Sequence, residues 1–290
     1  MNNKNLIAKI LIKTAGEISL KSRFVRKKFA RLLMKNIIAS LENNNIKIHF
    51  IDCKTPGRIF LDINLIDEIK TIEILKNIFG IYEFTIAKVF DFEINNLDTL
   101  AKKIYENSLE LLDSKKTFKI EINRTGKHNY NSVEIISNLL KIIDFEKYTA
   151  DLKNPEIKII VEIRDNTAYL YDYFNNITGL CGLPVGIYSK IKHIGEITKD
   201  TFYSSFLIMK RGCQICFENN TYPKSLIKFN NYNNFEVCKE DYKEIICYYS
   251  SDKTADKASI EKYNYENNNY EKIVLRPLLC FPVEDLKKNR

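Results

Sequence analysis

Apolar and polar positions alternate or recur along most of this chain, and the period changes from segment to segment. Residues 7–13 interleave apolar and basic side chains and read as a strand. Residues 22–41 carry Phe29, Leu32, Leu33, Ile37 and Leu41 at helical spacing, the signature of an amphipathic helix. A strand over 46–53, a strand over 58–63 after the Pro56-Gly57 turn, a helix over 67–77 stopped by Gly80, and a strand over 82–90 follow. That β-α-β-β-α-β order is the ferredoxin-like pattern. A second unit begins near Leu97 with a helix over 97–112. The strand over 117–123 turns Phe118, Ile120 and Ile122 inward and leaves Lys119, Glu121 and Asn123 wet. A helix over 132–143 has Ser132 as its N-cap, with Asn131 beside it. Strands over 157–164 and 167–174 are joined by Asp165-Asn166 as a hairpin. Beyond Gly186 the pattern weakens: a helix over 200–211 ended by Gly212, a strand starting at 214–217, and a helix over 239–249. The Asn/Tyr-rich segments 219–234 and 263–269 read as loops or insertions.

Composition narrows the class. The chain has 290 residues, 45% hydrophobic and 28% charged, enough for two or three globular domains. It has no run of about 18 apolar residues, so no membrane helix is expected, and the N-terminal residues lack an apolar signal core. A cytoplasmic location is the default expectation. Seven scattered cysteines suit reduced thiols better than a disulfide framework.

The net charge of +8 is unevenly spread. Lys21, Arg23, Arg26, Lys27, Lys28, Arg31 and Lys35 form a block with no acid among them. Such a block suits a phosphate backbone, which is bound largely through counterion release. It also suits a merely solvated, Lys-rich surface. Lys119, Asn123, Arg124, Lys127 and Arg164 are further candidate donors to phosphates and 2′-hydroxyls. For Arg164 a salt bridge to a local carboxylate is the alternative. His128 reads as a loop residue or an RNA contact. The glycines Gly179, Gly182 and Gly186 need no explanation beyond tight turns.

Three stretches together resemble the tRNA 4-thiouridine synthetases (tRNA sulfurtransferases). Gly16-Glu17-Ile18-Ser19-Leu20-Lys21 with Arg23, Phe29 and Asn36-Ile37 resembles that family's N-terminal ferredoxin-like domain. Phe118-Lys119-Ile120, Arg124, Lys127, Ser132, Glu134, the run 151–155, Val161-Glu162-Ile163-Arg164 and the run 179–186 are similar to its THUMP domain. Met209-Lys210-Arg211-Gly212 and Arg276-Pro277-Leu278 resemble landmarks of its PP-loop ATPase domain. The resemblance implies an α+β front half, with a ferredoxin-like domain over 1–92 and a THUMP RNA-binding domain over 93–186. A reduced α/β, Rossmann-like PP-loop remnant over 187–290 would follow. It implies tRNA as partner, held by its acceptor end.

The implied ATP site departs from the family. Ser-Gly-Gly-Ile-Asp-Ser-Pro falls on Glu196-Ile197-Thr198-Lys199-Asp200-Thr201-Phe202. Asp200 and Thr201 keep the chemistry; both glycines are lost, and Glu196 puts an anion where polyphosphate would sit. The short spacing from Gly212 to Val237 reads as the loss of a β-α unit. The leading expectation is a tRNA-binding protein with an eroded ATP site and no assigned cofactor or metal. In the alternative the chain is an active sulfurtransferase using ATP and Mg. Thr198, Lys199, Asp200, Thr201 and Lys210 would then hold nucleotide, Asp200 and Cys238 would be catalytic, and a sulfur-carrier or ATPase partner could complete the reaction. A third reading is an RNA-binding or chaperone module whose back half mediates homodimer contacts. The lone Cys213-x-x-Cys216 reads as buried strand cysteines or, with Cys238 or Cys280, as a metal site.

Overall fold

The computed structural model describes residues 6–217, 222–229, 235–237, 246–249 and 274–278. The first sheet uses β1 (Ile7–Thr14), β2 (Ile48–Asp52), β3 (Arg58–Asn64), β4 (Ile81–Ile86) and β9 (Ile177–Thr178) in the order β2-β3-β1-β4-β9. Its helices are α1 (Gly16–Ser19), α2 (Arg23–Glu42) and α3 (Glu68–Leu75), so the expected ferredoxin-like order is present. One face of α2 buries Phe29, Ala30, Leu33, Ile37 and Leu41; four of these carry the helical spacing, and Leu32, the fifth residue of that pattern, is half-buried.

The strand expected over 82–90 is two strands. β4 belongs to the first sheet, and β5 (Lys88–Asp91) belongs to a second sheet with β8 (Thr167–Asp172), β7 (Ile157–Arg164) and β6 (Phe118–Thr125), in the order β5-β8-β7-β6. The break falls at Ala87, whose N–H donates to the Lys9 carbonyl at 2.9 Å. Alternation reports a strand's two faces and not the sheet it joins. β6 and β7 run parallel; β7–β8 and β5–β8 are antiparallel. Helices α4 (Leu97–Ser108) and α5 (Ser132–Leu140) cover one face. Leu100, Ile104, Ile135 and Leu139 pack there with Ile159, Val161, Ile163 and Leu170. The N-cap of α5 is Asn131, one residue before the expected Ser132. Its side chain accepts from Val133 and Glu134 N–H while Glu134 returns a bond to Asn131 N–H, a capping box.

The third sheet is wholly parallel: β10 (Lys190–Ile194), β11 (Gln214–Phe217), β12 (Phe235–Val237), β13 (Ile246–Tyr249) and β14 (Val274–Leu275), ordered β12-β11-β10-β13-β14. Residues 246–249, expected in a helix, are therefore strand. Their Ile-Cys-Tyr-Tyr run pairs along Ile191–Ile194, where β-branched and aromatic side chains suit a pleated surface. The connection from β11 to β12 holds a 3-10 turn, Lys224–Phe229, among its described residues.

The chain divides into two compact units, one with Ile12–Glu83 and the chain from Thr178 onward, the other with Ile7–Leu11 and Phe84–Ile177. Within the first unit, Phe79 leaves the ferredoxin-like domain and enters the core of the parallel sheet. It meets Phe206 of α6 (Lys199–Lys210) at 5.2 Å and Phe229 at 5.5 Å between ring centroids.

Candidate functional site

On α2 the cations separate by face. With 3.6 residues per turn, Lys27, Lys28, Arg31 and Lys35 project opposite the buried stripe, and all four are exposed. Arg23 and, just before the helix, Lys21 are exposed as well. Arg26 does not join them: it is half-buried, and its guanidinium donates to the Ser19 carbonyl at 3.4 Å. None of the seven cations forms a salt bridge among the described residues. The charge also runs against the helix dipole. The first turn contains no acid, the last contains no base, and Glu42 ends the helix. Reversed placement costs about 0.3–1 kcal/mol per charge at an exposed terminus. Arg23 and Arg26, in the first turn, are therefore not explained by helix stability.

The second basic cluster lies where β6 ends and the β7–β8 hairpin turns. Thr125 and Arg164 are register partners. Arg164 donates to Thr125 Oγ1 and, through Nη2, to Glu162 at 2.6 Å. Glu162 is 1% exposed and also accepts from the Tyr171 hydroxyl at 3.1 Å. The salt-bridge alternative for Arg164 is what the structure contains, and the guanidinium is committed to holding the loop. Arg124 Nη1 bonds His128 Nδ1 at 3.0 Å, and His128 Nε2 bonds the Asp165 carbonyl at 2.7 Å. A guanidinium only donates and a carbonyl only accepts. The pair of bonds therefore specifies the neutral Nε2–H tautomer. The ring also stacks on Phe92 and tilts against Tyr130. Lys127 is exposed at the tip. Lys119 is not brought to this cluster. It lies on the other face of β6 from Arg124 and about 16 Å back along the strand, next to the Glu121–Lys158 ion pair of 3.0 Å.

In the parallel sheet, β10 is followed by Gly195, Glu196, Ile197 and Thr198, then α6. All four are exposed, Ile197 to 39%. Thr198 is the N-cap. Its hydroxyl accepts from Asp200 N–H at 3.2 Å, and its own N–H donates to Thr201 Oγ1 at 2.9 Å. Thr201 is fully buried, so its hydroxyl is turned into the cap. Lys199 is exposed and Asp200 half-buried at the helix start. Lys210 stands at the opposite end of this 12-residue helix, about 17 Å away along the axis at ~1.5 Å per residue, and does not join the loop. Cys238 lies outside the described residues, as do Cys280 and residues 239–245.

The run 179–186 stitches the first unit together. Gly179 and Cys181 N–H donate to Tyr82 and Ile81 carbonyls, Leu183 N–H to Lys210 O, and Asn36 Nδ2 to Val185 O at 3.0 Å. Gly182 has φ +77°, and a Cβ there would collide with the Lys210 carbonyl, so the tight-turn reading of this glycine is sufficient. Cys216 is disulfide-bonded, against the expectation of reduced thiols, while Cys53, Cys181 and Cys213 are free. The Cys213-x-x-Cys216 motif is therefore not a bonded pair. Burial pushes the Cys213 and Cys181 thiols up, away from nucleophilic thiolate. Among the described residues no cluster of three or more His, Cys, Asp or Glu is placed to hold a metal. No described helix is long and apolar enough to cross a membrane.

These features define a class: a ferredoxin-like domain and an α/β module with basic surfaces, followed by a parallel α/β sheet. A ThiI ferredoxin-like domain model matches residues 9–85, and a THUMP domain model matches residues 93–172. A probable tRNA sulfurtransferase of Saccharolobus islandicus is 31% identical over 203 residues, 70% of this chain and 52% of the relative. A tRNA sulfurtransferase of Desulfurococcus amylolyticus is 30% identical over 210 residues, 71% of this chain and 41% of the relative. The chain belongs to the tRNA 4-thiouridine synthetase (tRNA sulfurtransferase) family, and it spans about half the length of the curated relatives it matches. Two solved structures share the fold. PH1313 from Pyrococcus horikoshii Ot3 superposes with TM-score 0.72 at 22% identity, covering 97% of this chain and 98% of that one. A 4-thiouridine synthetase in complex with RNA and bound ATP gives 0.65 at 17% identity, covering 98% and 84%.

Proposed function

We propose that this chain binds tRNA by its acceptor end, through the α2 cations and the loop from Arg124 to Lys127. We further propose that its loop at 195–201 does not take ATP phosphates in the manner of a PP-loop. The observation that carries the first part is the exposed stripe of Lys27, Lys28, Arg31 and Lys35 on α2, outside any salt bridge among the described residues. Each cation that meets a phosphate releases counterions. The Arg124 loop, held by Arg164 and Glu162, adds donors whose geometry is set before binding. The relatives named tRNA sulfurtransferases and the RNA-bound structure support the same partner.

For the second part, the support is the cap at Thr198. A phosphate at a helix start binds bare N–H groups. Here the Asp200 N–H is already bonded to the Thr198 hydroxyl, and the Thr201 hydroxyl is buried in the same cap. Ile197 and Glu196 flank that start with a bulky side chain and a negative charge. A second reading draws on the parallel sheet. The loop after β10 lies at the switch between β11 and β13, where open α/β sheets bind ligands. An unusual but active sulfurtransferase, alone or completed by a sulfur-carrier or ATPase partner, would use that position. Two measurements decide. Intact tRNA should bind more tightly than tRNA trimmed of its 3′ end, and equal affinity refutes acceptor-end recognition. Calorimetric titration with Mg-ATP should give no micromolar site. A micromolar constant favours the enzyme reading.

A further inference from the structure

Phe24 is 80% exposed, and Leu20, on the turn leading into α2, is 89% exposed. Single exposed apolar side chains are ordinary; the surroundings of Phe24 are not. At 100° per residue, Arg31 and Lys35 lie within about 20° of Phe24 around the helix, Lys28 within about 40° and Lys27 within about 60°. Within the two turns that follow the ring, the helix residues on this face (Lys27, Lys28 and Arg31) are all cations. The ring stands in the first turn, at the end of the stripe where Lys21 and Arg23 also project. Burying such a ring elsewhere in the fold would stabilise it, so its exposure forgoes stability. A protein surface matching this patch would need many acids around one apolar socket. A nucleic acid supplies both chemistries at once: phosphates for the cations and a base face for the ring.

We propose that Phe24, with Leu20 beside the path of the strand, is a stacking post for an unpaired base where an RNA helix gripped by α2 gives way to single strand. The proposal rests on the RNA-binding reading above and deepens it. The phosphate contacts of α2 carry no sequence or strandedness information. The ring adds it, because a base inside a duplex hides its faces and an unpaired base offers one. Aromatic stacking on an unpaired base is worth about 1–3 kcal/mol, or roughly 5- to 150-fold in affinity.

The test compares an RNA minihelix bearing a short single-stranded 3′ overhang with the same minihelix blunt-ended, using the whole chain. Phe24→Ala should weaken the overhang complex at least fivefold, leave the blunt complex unchanged and leave the salt slope intact, because no phosphate contact is lost. Phe24→Trp should restore the overhang preference. The side chain is exposed, so both variants should melt with the wild type. Equal weakening of both RNAs, or no change in either, overturns the stacking role. A shift in oligomeric state with unchanged RNA affinity also overturns it and assigns the ring to a protein contact. The grip itself is judged separately: Lys28→Ala with Arg31→Ala should lower the salt slope for both RNAs. A null result there defeats the RNA-binding reading without reference to Phe24.

Discussion

The cations of α2 and those of the loop after β6 carry the same charge and are built in different ways. On α2 they project from an exposed helix face, outside any salt bridge among the described residues, with only Arg26 tied to a backbone carbonyl. After β6, Arg164 is locked to Glu162 and Thr125, and Arg124 to His128, which is itself anchored to Asp165. Flexible exposed cations supply long-range attraction and adapt to a backbone, and they contribute little to folding. Locked guanidiniums offer a set geometry and tie binding to the stability of the hairpin. The two regions should therefore respond differently to the same kind of substitution.

The largest contrast should come from Glu162→Ala. It leaves the Arg164 guanidinium and the Tyr171 hydroxyl without their carboxylate in a site where Glu162 is 1% exposed. Breaking such a pair from one side costs about 3 kcal/mol, visible as a lower denaturant midpoint. A loss below about 1 kcal/mol would mean that the loop is not held by this network. Next comes Arg124→Ala with Lys127→Ala, which should weaken tRNA binding and lower the salt slope by up to about 2, at a stability cost of about 1 kcal/mol for the His128 bond. An unchanged slope removes both residues from the interface. The smallest effect belongs to Glu121. The hydrogen bond from Lys158 holds its carboxyl below the usual carboxylate range. A depressed folded value stabilises the fold above the unfolded pKa, and that contribution is lost as the pH falls through the folded value. The pair is partly exposed, so screening limits it. Glu121→Gln should cost less than about 0.5 kcal/mol near neutrality and nothing in strong acid. A difference that persists in acid would point to packing instead.

Most elements of the first two domains were legible from a clear period or an apolar run. Residues 22–41 show buried positions at helical spacing, whereas 157–164 is an apolar run buried at five successive positions. The break at Ala87 was not legible, since β-branched and aromatic residues continue on both sides of it while the partner strand changes. The strand at 246–249 was missed because a short apolar run has no period that separates helix from strand. Among candidate site residues, the exposed stripe of α2 followed from charge and helical spacing. The commitment of Arg164 did not, because the partner choice between Glu162 and a phosphate is tertiary. Lys210 was grouped with the loop by motif, yet the length of α6 places it at the far end. The cap at Thr198 was hidden in a Thr-x-x-Thr spacing, a weak form of the capping pattern. The exposure of Phe24 needed the helix phase fixed by Phe29, Leu33 and Ile37.

The most direct test of the account measures tRNA affinity against salt for the wild type and for a variant with Lys27, Lys28, Arg31 and Lys35 replaced by Ala. Alanine keeps the helix, so thermal stability should stay within about 0.5 kcal/mol. The plot of log affinity against log salt should become shallower by up to about 3.6, near 0.9 per lost phosphate contact. Parallel lines of equal slope for the two proteins would contradict the assignment of α2 as the RNA grip.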